Sequence, residues 1–330
     1  MRKLIKSFIM KFLKKYSRLR TPMAKTLKDL YGKYLAEFAQ ISKAAAKIDE
    51  TEIYEEANPE TRKYVSLITK DNVLPESHMV NIEHFKEFYD AVVNQGKSGV
   101  VMMDHYSNMD LPCFLHLLEN NGEPWALDFA KRIVAIAGMK LNEADPIIRA
   151  LTESFTRVVI YPTRSLNSVE EQNISDEEKE AERQRARKIN FAAMRAMDAC
   201  KKRGQIILVF PSGTRYRPGK PETKRGLREI DSYLRLFDLL LPVSINGNVL
   251  RLNPDEPENM IMDLVTPDVV TLTAGKMIEC KPFRNKILET VPADHPDPKQ
   301  VTVDAVMEIL EELHNSGVVE PVETTSKEDL

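Results

Sequence analysis

His105 and Asp110 are the residues best placed for chemistry: they stand five apart in Gly99–Pro112 (GVVMMDHYSNMDLP), where an apolar run gives way to helical spacing. An imidazole can take a proton from a hydroxyl near neutral pH, and a carboxylate that fixes its tautomer makes it a better base. The same aspartate equally suits a plain helix cap, and a chain with six histidines can show this spacing by coincidence. A second candidate is PSGTRYRPGKPETKRGLRE, which follows the apolar run QIILVF. Arg215 and Arg217 alternate there, so an extended loop turns both guanidinium groups to one side, and the glycines, Gly213 among them, let backbone approach a ligand. That pattern suits a phosphate, whose oxygens a planar guanidinium grips bidentately. Arg164, just past the run RVVIY, can converge on the same place. Lys224, Arg225 and Arg228 belong to the same basic stretch, which also reads as a solvated surface whose ion pairs contribute little.

These groups need a scaffold that brings loops together. Gly99–Met103 reads as a buried strand and Leu111–Leu118 as a helix, with Pro112 tolerated in the first turn. Loops at the carboxyl ends of strands are where open α/β sheets bind ligands. Before Gly99 the spacing predicts helices over 1–20, Met23–Ile48, Asn58 to about Ile68, and Asn81–Gln95, with the sheet beginning only at Gly99. After it come a strand and turn in Pro124–Ala137, a helix from Asp145-Pro146 to Phe155, and a strand at Arg157–Tyr161. A long charged helix is predicted over Ser175–Arg203, then a strand at Gln205–Phe210, a helix at Glu229–Phe237 and a strand at Leu239–Ile245. Strands at Met260–Val265 and Asp268–Ala274 and a helix over Pro298–His314 complete the pattern. The expected fold class is α/β: a mixed central sheet covered by helices on both faces and preceded by an N-terminal helical domain. The expected division is a helical bundle over 1–78, an α/β domain over 79–315 and a disordered tail over 316–330.

Composition narrows the chemistry. Across 330 residues the formal charge is -3, so no global field argues for nucleic acid. Cys113, Cys200 and Cys280 are odd in number and far apart, as expected of reduced cytosolic thiols. The histidines show no metal-ligand spacing, no P-loop occurs, and neither Ser107 nor Ser212 stands in a G-x-S-x-G elbow. No run approaches the length of a membrane span and no cleavable signal is evident, which predicts a cytoplasmic protein, soluble or peripheral at a membrane. Residues 1–20 carry eight Lys or Arg and no acid around one apolar stripe, so they suit an anionic membrane surface or an ordinary bundle helix.

His105 with Asp110, then FPSGTR at Phe210–Arg215, then LPVSI at Leu241–Ile245, resemble three ordered blocks of the glycerolipid acyltransferase family. The likeness covers about residues 98–250, and PSGTRYRP is most similar to the PSGGRDRP of soluble, plastid-type glycerol-3-phosphate acyltransferases. Thr214 and Tyr216 depart from that pattern, and a basic Lys-His pair expected after RVVIY is represented only by Arg164. The resemblance implies glycerol-3-phosphate O-acyltransfer from an acyl carrier protein or coenzyme A thioester, without a cofactor. His105 would be the base, Asp110 its partner, and Arg215, Arg217 and Arg164, with Ser212 and Gly213, the phosphate site. Backbone amides near Ser107 or Gly213 would serve the oxyanion, and Lys131, Arg132, Lys201, Lys202 and Arg203 would offer a basic surface to a carrier protein. Acylation of 1-acylglycerol 3-phosphate uses the same residues, and a noncatalytic phospholipid-binding protein on the same fold is the third reading.

Overall fold

A computed structural model describes residues 24–317, apart from 46, 144, 145 and 172; the basic segment 1–20 and the chain beyond 317 lie outside the described residues. The element order is α1 (Leu27–Ile41), β1 (Tyr54–Glu55), α2 (Pro59–Asn72), β2 (His78–Val80), α3 (Ile82–Val93) and β3 (Gly99–Met103). Next come α4 (Asp110–Glu119), α5 (Pro124–Arg132), β4 (Ile133–Gly138), α6 (Pro146–Glu153), β5 (Arg157–Ile160), α7 (Thr163–Glu170) and α8 (Asp176–Lys202). The chain ends β6 (Ile206–Val209), α9 (Asp231–Leu236), β7 (Leu239–Asn246), β8 (Leu250–Arg251), β9 (Leu264–Val265), β10 (Thr271–Ala274), β11 (Ile278–Glu279), α10 (Cys280–Thr290) and α11 (Pro298–Ser316).

The main sheet is mixed, in the order β1-β5-β4-β6-β3-β7-β10-β2, with β11 pairing β7. Strands β5, β4, β6, β3 and β7 run parallel, so their carboxyl ends share one edge. Helices cover both faces, as the fold class predicts. All five residues of β3 are buried, as a parallel strand sandwiched between helix layers requires. Its side chains alternate: Val101 and Met103 join Phe85, Phe88, Phe114 and Phe129 on one face, while Val100 and Met102 join Ile189, Leu234 and Val306 on the other. Gly99 is fixed by packing, because a Cβ there would lie 2.5 Å from the Phe88 ring and 2.6 Å from Val92. Phe88, fully buried, anchors α3 on that crossing, and its truncation would cost about 3–5 kcal/mol.

Several expectations are corrected. The sheet does not begin at Gly99: β1 and β2 pair at its two ends, and strands of two and three residues carry no readable period. Pro124–Ala137 is α5 followed by β4, not a strand and turn; Pro124 opens the helix at its first turn, and Ala126, Phe129 and Ala130 are its buried face. Met260–Met262 is a 3-10 turn, leaving only Leu264–Val265 extended. α10 was not expected at all, and α1 is shorter than its predicted span. The N-terminal helices are tied to the rest by buried polar groups: Glu153 of α6 accepts from Ser42, the Lys43 amide and Asn58, and buried Arg157 of β5 pairs with Glu55 of β1.

Candidate active site

At the end of β3 the chain leaves the sheet through Asp104, His105 and Tyr106 and enters α4 at Asp110. Asp110 is 2% exposed, and a single oxygen, Oδ2, takes three contacts: His105 Nδ1 at 2.8 Å and the amides of Tyr106 at 2.7 Å and Ser107 at 2.8 Å. The turn is thus built by the carboxylate. With Nδ1 donating to Asp110, the lone pair of the neutral ring sits on Nε2. The ring is stacked on Phe210 at 3.9 Å between centroids and 15° between planes, which fixes its remaining freedom. The Ser107 hydroxyl is engaged in the turn: it donates to the Leu250 carbonyl and accepts from the Met109 amide.

Phe210 begins the loop that leaves β6, next to β3 in the sheet. The loop is sewn to the histidine by a 2.8 Å hydrogen bond from the Tyr216 amide to the His105 carbonyl. Gly213 turns with φ +63, and a Cβ there would lie 2.4 Å from Leu227, so the tight loop needs glycine. A small pocket at this junction is lined by His105, Tyr106, Ser212, Tyr216, Lys224 and Glu311, among others. Lys224 lies over the rings of Tyr106 and Tyr216 and pairs with Glu311 of α11.

The pocket therefore unites His105 and Ser212, while Arg215 and Arg217, on either side of pocket-lining Tyr216, and Arg164 are not part of its wall. Arg215, 7% exposed, pairs with fully buried Asp263. Arg217 pairs with exposed Glu258, and its Nε is buried without a hydrogen-bond partner among the described residues. Arg164 opens α7 at the end of β5; burial pulls its pKa down, against the opposing charges of Glu229 and Glu222. Of the amides near Ser107 and Gly213 expected for an oxyanion, those two themselves are engaged, Ser107 on Asp110 and Gly213 on the Phe210 carbonyl. The residues expected to offer a carrier-protein surface lie at the amino ends of their strands, opposite the edge where His105 emerges: Lys131 and Arg132 precede β4, and Lys201 to Arg203 precede β6.

A second histidine–carboxylate pair was not foreseen. His314, near the end of α11, contacts Asp104 Oδ2 through Nδ1 at 3.0 Å, while Asp104 Oδ1 accepts from the Ile245 amide at 2.9 Å. Burial pushes the Asp104 carboxyl up to about 6, against the pull of His314. Tyr106 stacks on His314 at 4.6 Å. The two partners are 210 residues apart, and nothing in their local sequence links them. Among the described residues, no group of three or more His, Cys, Asp or Glu gathers as a metal site, and no helix is long and apolar enough to cross a membrane.

A family model described as Acyltransferase matches residues 79–244, half of the chain, and spans both His105–Asp110 and the loop after β6. No curated protein matches the chain.

Proposed function

The chain belongs to the acyltransferase family, and we propose that it acts as a glycerol-3-phosphate O-acyltransferase, moving a fatty acyl group from an acyl carrier protein or coenzyme A thioester to the 1-hydroxyl of glycerol 3-phosphate. The observation that carries this reading is the 2.8 Å contact between His105 Nδ1 and Asp110, which leaves Nε2 as the basic nitrogen of a residue lining the pocket beside the FPSGTR loop.

In this mechanism Nε2 takes the proton of the acceptor hydroxyl as its oxygen adds to the thioester carbonyl. Asp110 holds the ring and stabilises the imidazolium that forms. Collapse of the tetrahedral intermediate breaks the carbon–sulfur bond, and the thiolate leaves with the proton returned by His105, so the products are an ester and a thiol. No protein nucleophile is needed. Arg217, with its unpartnered buried Nε, and Arg215, whose guanidinium has more donors than Asp263 occupies, supply the phosphate contacts, with Arg164 after β5, two strands from β6 on the same sheet edge. Ser212 and Gly213 shape the loop: the Ser212 hydroxyl donates to the Thr214 carbonyl and holds the turn closed.

The test is thiol release from acyl carrier protein and coenzyme A thioesters, with glycerol 3-phosphate, 1-acylglycerol 3-phosphate or glycerol offered in parallel. Release with glycerol 3-phosphate alone supports the proposal. Preference for the lysolipid moves the activity to the second acylation, and silence with every pairing favours a phospholipid-binding role.

A further inference from the structure

Helix α8 carries an outer face that the chemistry at His105 does not explain. Its buried face, Ala186, Ile189, Ala193, Met197 and Cys200, packs on the sheet. On the outside stand Phe191, 65% exposed, and Met194, 58% exposed, the two most exposed large apolar side chains among the described residues. They are three residues apart, so they are neighbours on the helix surface. With Leu166 of α7 they line an apolar groove of about 390 Å3.

Basic residues dominate the α8 side of this groove, with Glu170 and Glu180 paired to Arg183 at one end. From Arg183 to Met197 the helix has five basic residues and no acid. Arg183 and Arg185 are tied to glutamates, but Arg187 and Arg195 are exposed beside Phe191 and Met194. Position in the fold matters as well. Asn190, next to Phe191, brackets Tyr161 by accepting from its amide at 2.9 Å and donating to its carbonyl at 3.0 Å, and Tyr161 directly follows β5. The face is therefore level with the carboxyl ends of the parallel strands, the edge at which His105 emerges from β3.

We propose that this face of α8 docks on an anionic phospholipid surface, with Phe191 and Met194 entering the acyl region, a lipid chain occupying the groove against Leu166, and Arg187 and Arg195 meeting the headgroups. Exposed apolar side chains bounded by basic ones are what such a surface binds. Charge selects the occupant: the exposed cations beside Phe191 and Met194 are Arg187 and Arg195, which favour an anionic headgroup over the chain's own segment 1–20, with its eight basic residues and no acid. The proposal concerns a binding surface and does not depend on the acyl-transfer reading, because its test does not use turnover.

The experiment uses the full chain with its only tryptophan, Trp125, replaced by phenylalanine and a reporter placed by Phe191→Trp. Phosphatidylglycerol-containing vesicles should shift the reporter's emission to the blue, lipids brominated on their acyl chains should quench it, and pure phosphatidylcholine vesicles should do neither. Adding Arg187→Gln and Arg195→Gln should weaken vesicle affinity by on the order of tenfold or more. A reporter that keeps its solvent emission while the protein sediments with vesicles would show attachment through residues outside this face and overturn the proposal. A blue shift that rises with protein concentration in the absence of lipid would assign the face to a second copy of the chain and overturn it as well.

Discussion

Two histidine–carboxylate pairs flank the end of β3, and they are built in opposite ways. His105 and Asp110 are five residues apart, and the carboxylate is held by the backbone amides of the turn it caps. His314 and Asp104 are 210 residues apart, and their contact fastens the last turns of α11 to the strand end. The first pair has a ring bordering the pocket and a carboxylate satisfied by neutral donors; the second has a carboxyl so desolvated that burial lifts it to about 6. A local pair preorganises a base, because the turn that creates it also fixes its geometry. A long-range pair fixes the elements around the base, and its chemistry changes with pH. Asp104 is covalently next to His105, and Tyr106, stacked on His314, is the other neighbour, so the second pair positions the first.

The comparison can be broken by substitution. Removing the local partner should have the largest effect: Asp110→Ala leaves His105 without its tautomer-fixing acceptor and the Tyr106 and Ser107 amides without a partner. Acceptor-dependent thiol release should fall by about 10²- to 10⁴-fold, measured under saturating substrates. Next comes the arginine loop, where Arg215→Ala strands the carboxylate of Asp263 in the interior. That should destabilise the protein by about 3–5 kcal/mol in denaturant unfolding, with Arg215→Met/Asp263→Leu recovering much of the loss.

The smallest effect should come from the distant pair and should be visible as a pH dependence. The carboxyl of Asp104 is raised in the folded protein from the ordinary 3.8 to about 6, so between these values the folded state holds more protons than the unfolded one. Stability from this group is thus full below about pH 4 and falls as pH rises through 6, by up to about 3 kcal/mol. Asp104→Asn should flatten that window in thermal unfolding followed from pH 4 to 7. His314→Gln, which keeps a donor for Asp104, should alter the pH profile of turnover by less than Asp110→Ala alters its magnitude.

The contrast also explains what the sequence made readable. β3, β6 and β7 are short apolar runs bounded by turn residues, and their order and the mixed sheet followed from that pattern; so did α8, whose capping box at Ser175 and Glu178 is local. The pairing of His105 with Asp110 was legible because a strand end and a helix start lie within six residues. The unforeseen features depend on pairings distant in sequence. β1 and β2 are strands only because β5 and β10 stand beside them, and His314 reaches Asp104 only after α11 has crossed the sheet. The arginines show the same limit: alternation placed Arg215 and Arg217 in one loop, yet Asp263 and Glu258, which decide where they point, come from a segment more than forty residues on. The Pro124 helix is hidden in the sequence for a different reason, since a proline followed by short apolar spacing fits a strand as well as a first helical turn.

If His105 is the base of an acyl transfer, acceptor-dependent thiol release by His105→Ala, compared with the unaltered chain and with folding checked by thermal unfolding, exposes it. The expected result is a folded variant with turnover lost by three orders of magnitude or so while thioester and acceptor still bind. A folded His105→Ala protein that releases thiol at the original rate would rule out His105 as the base.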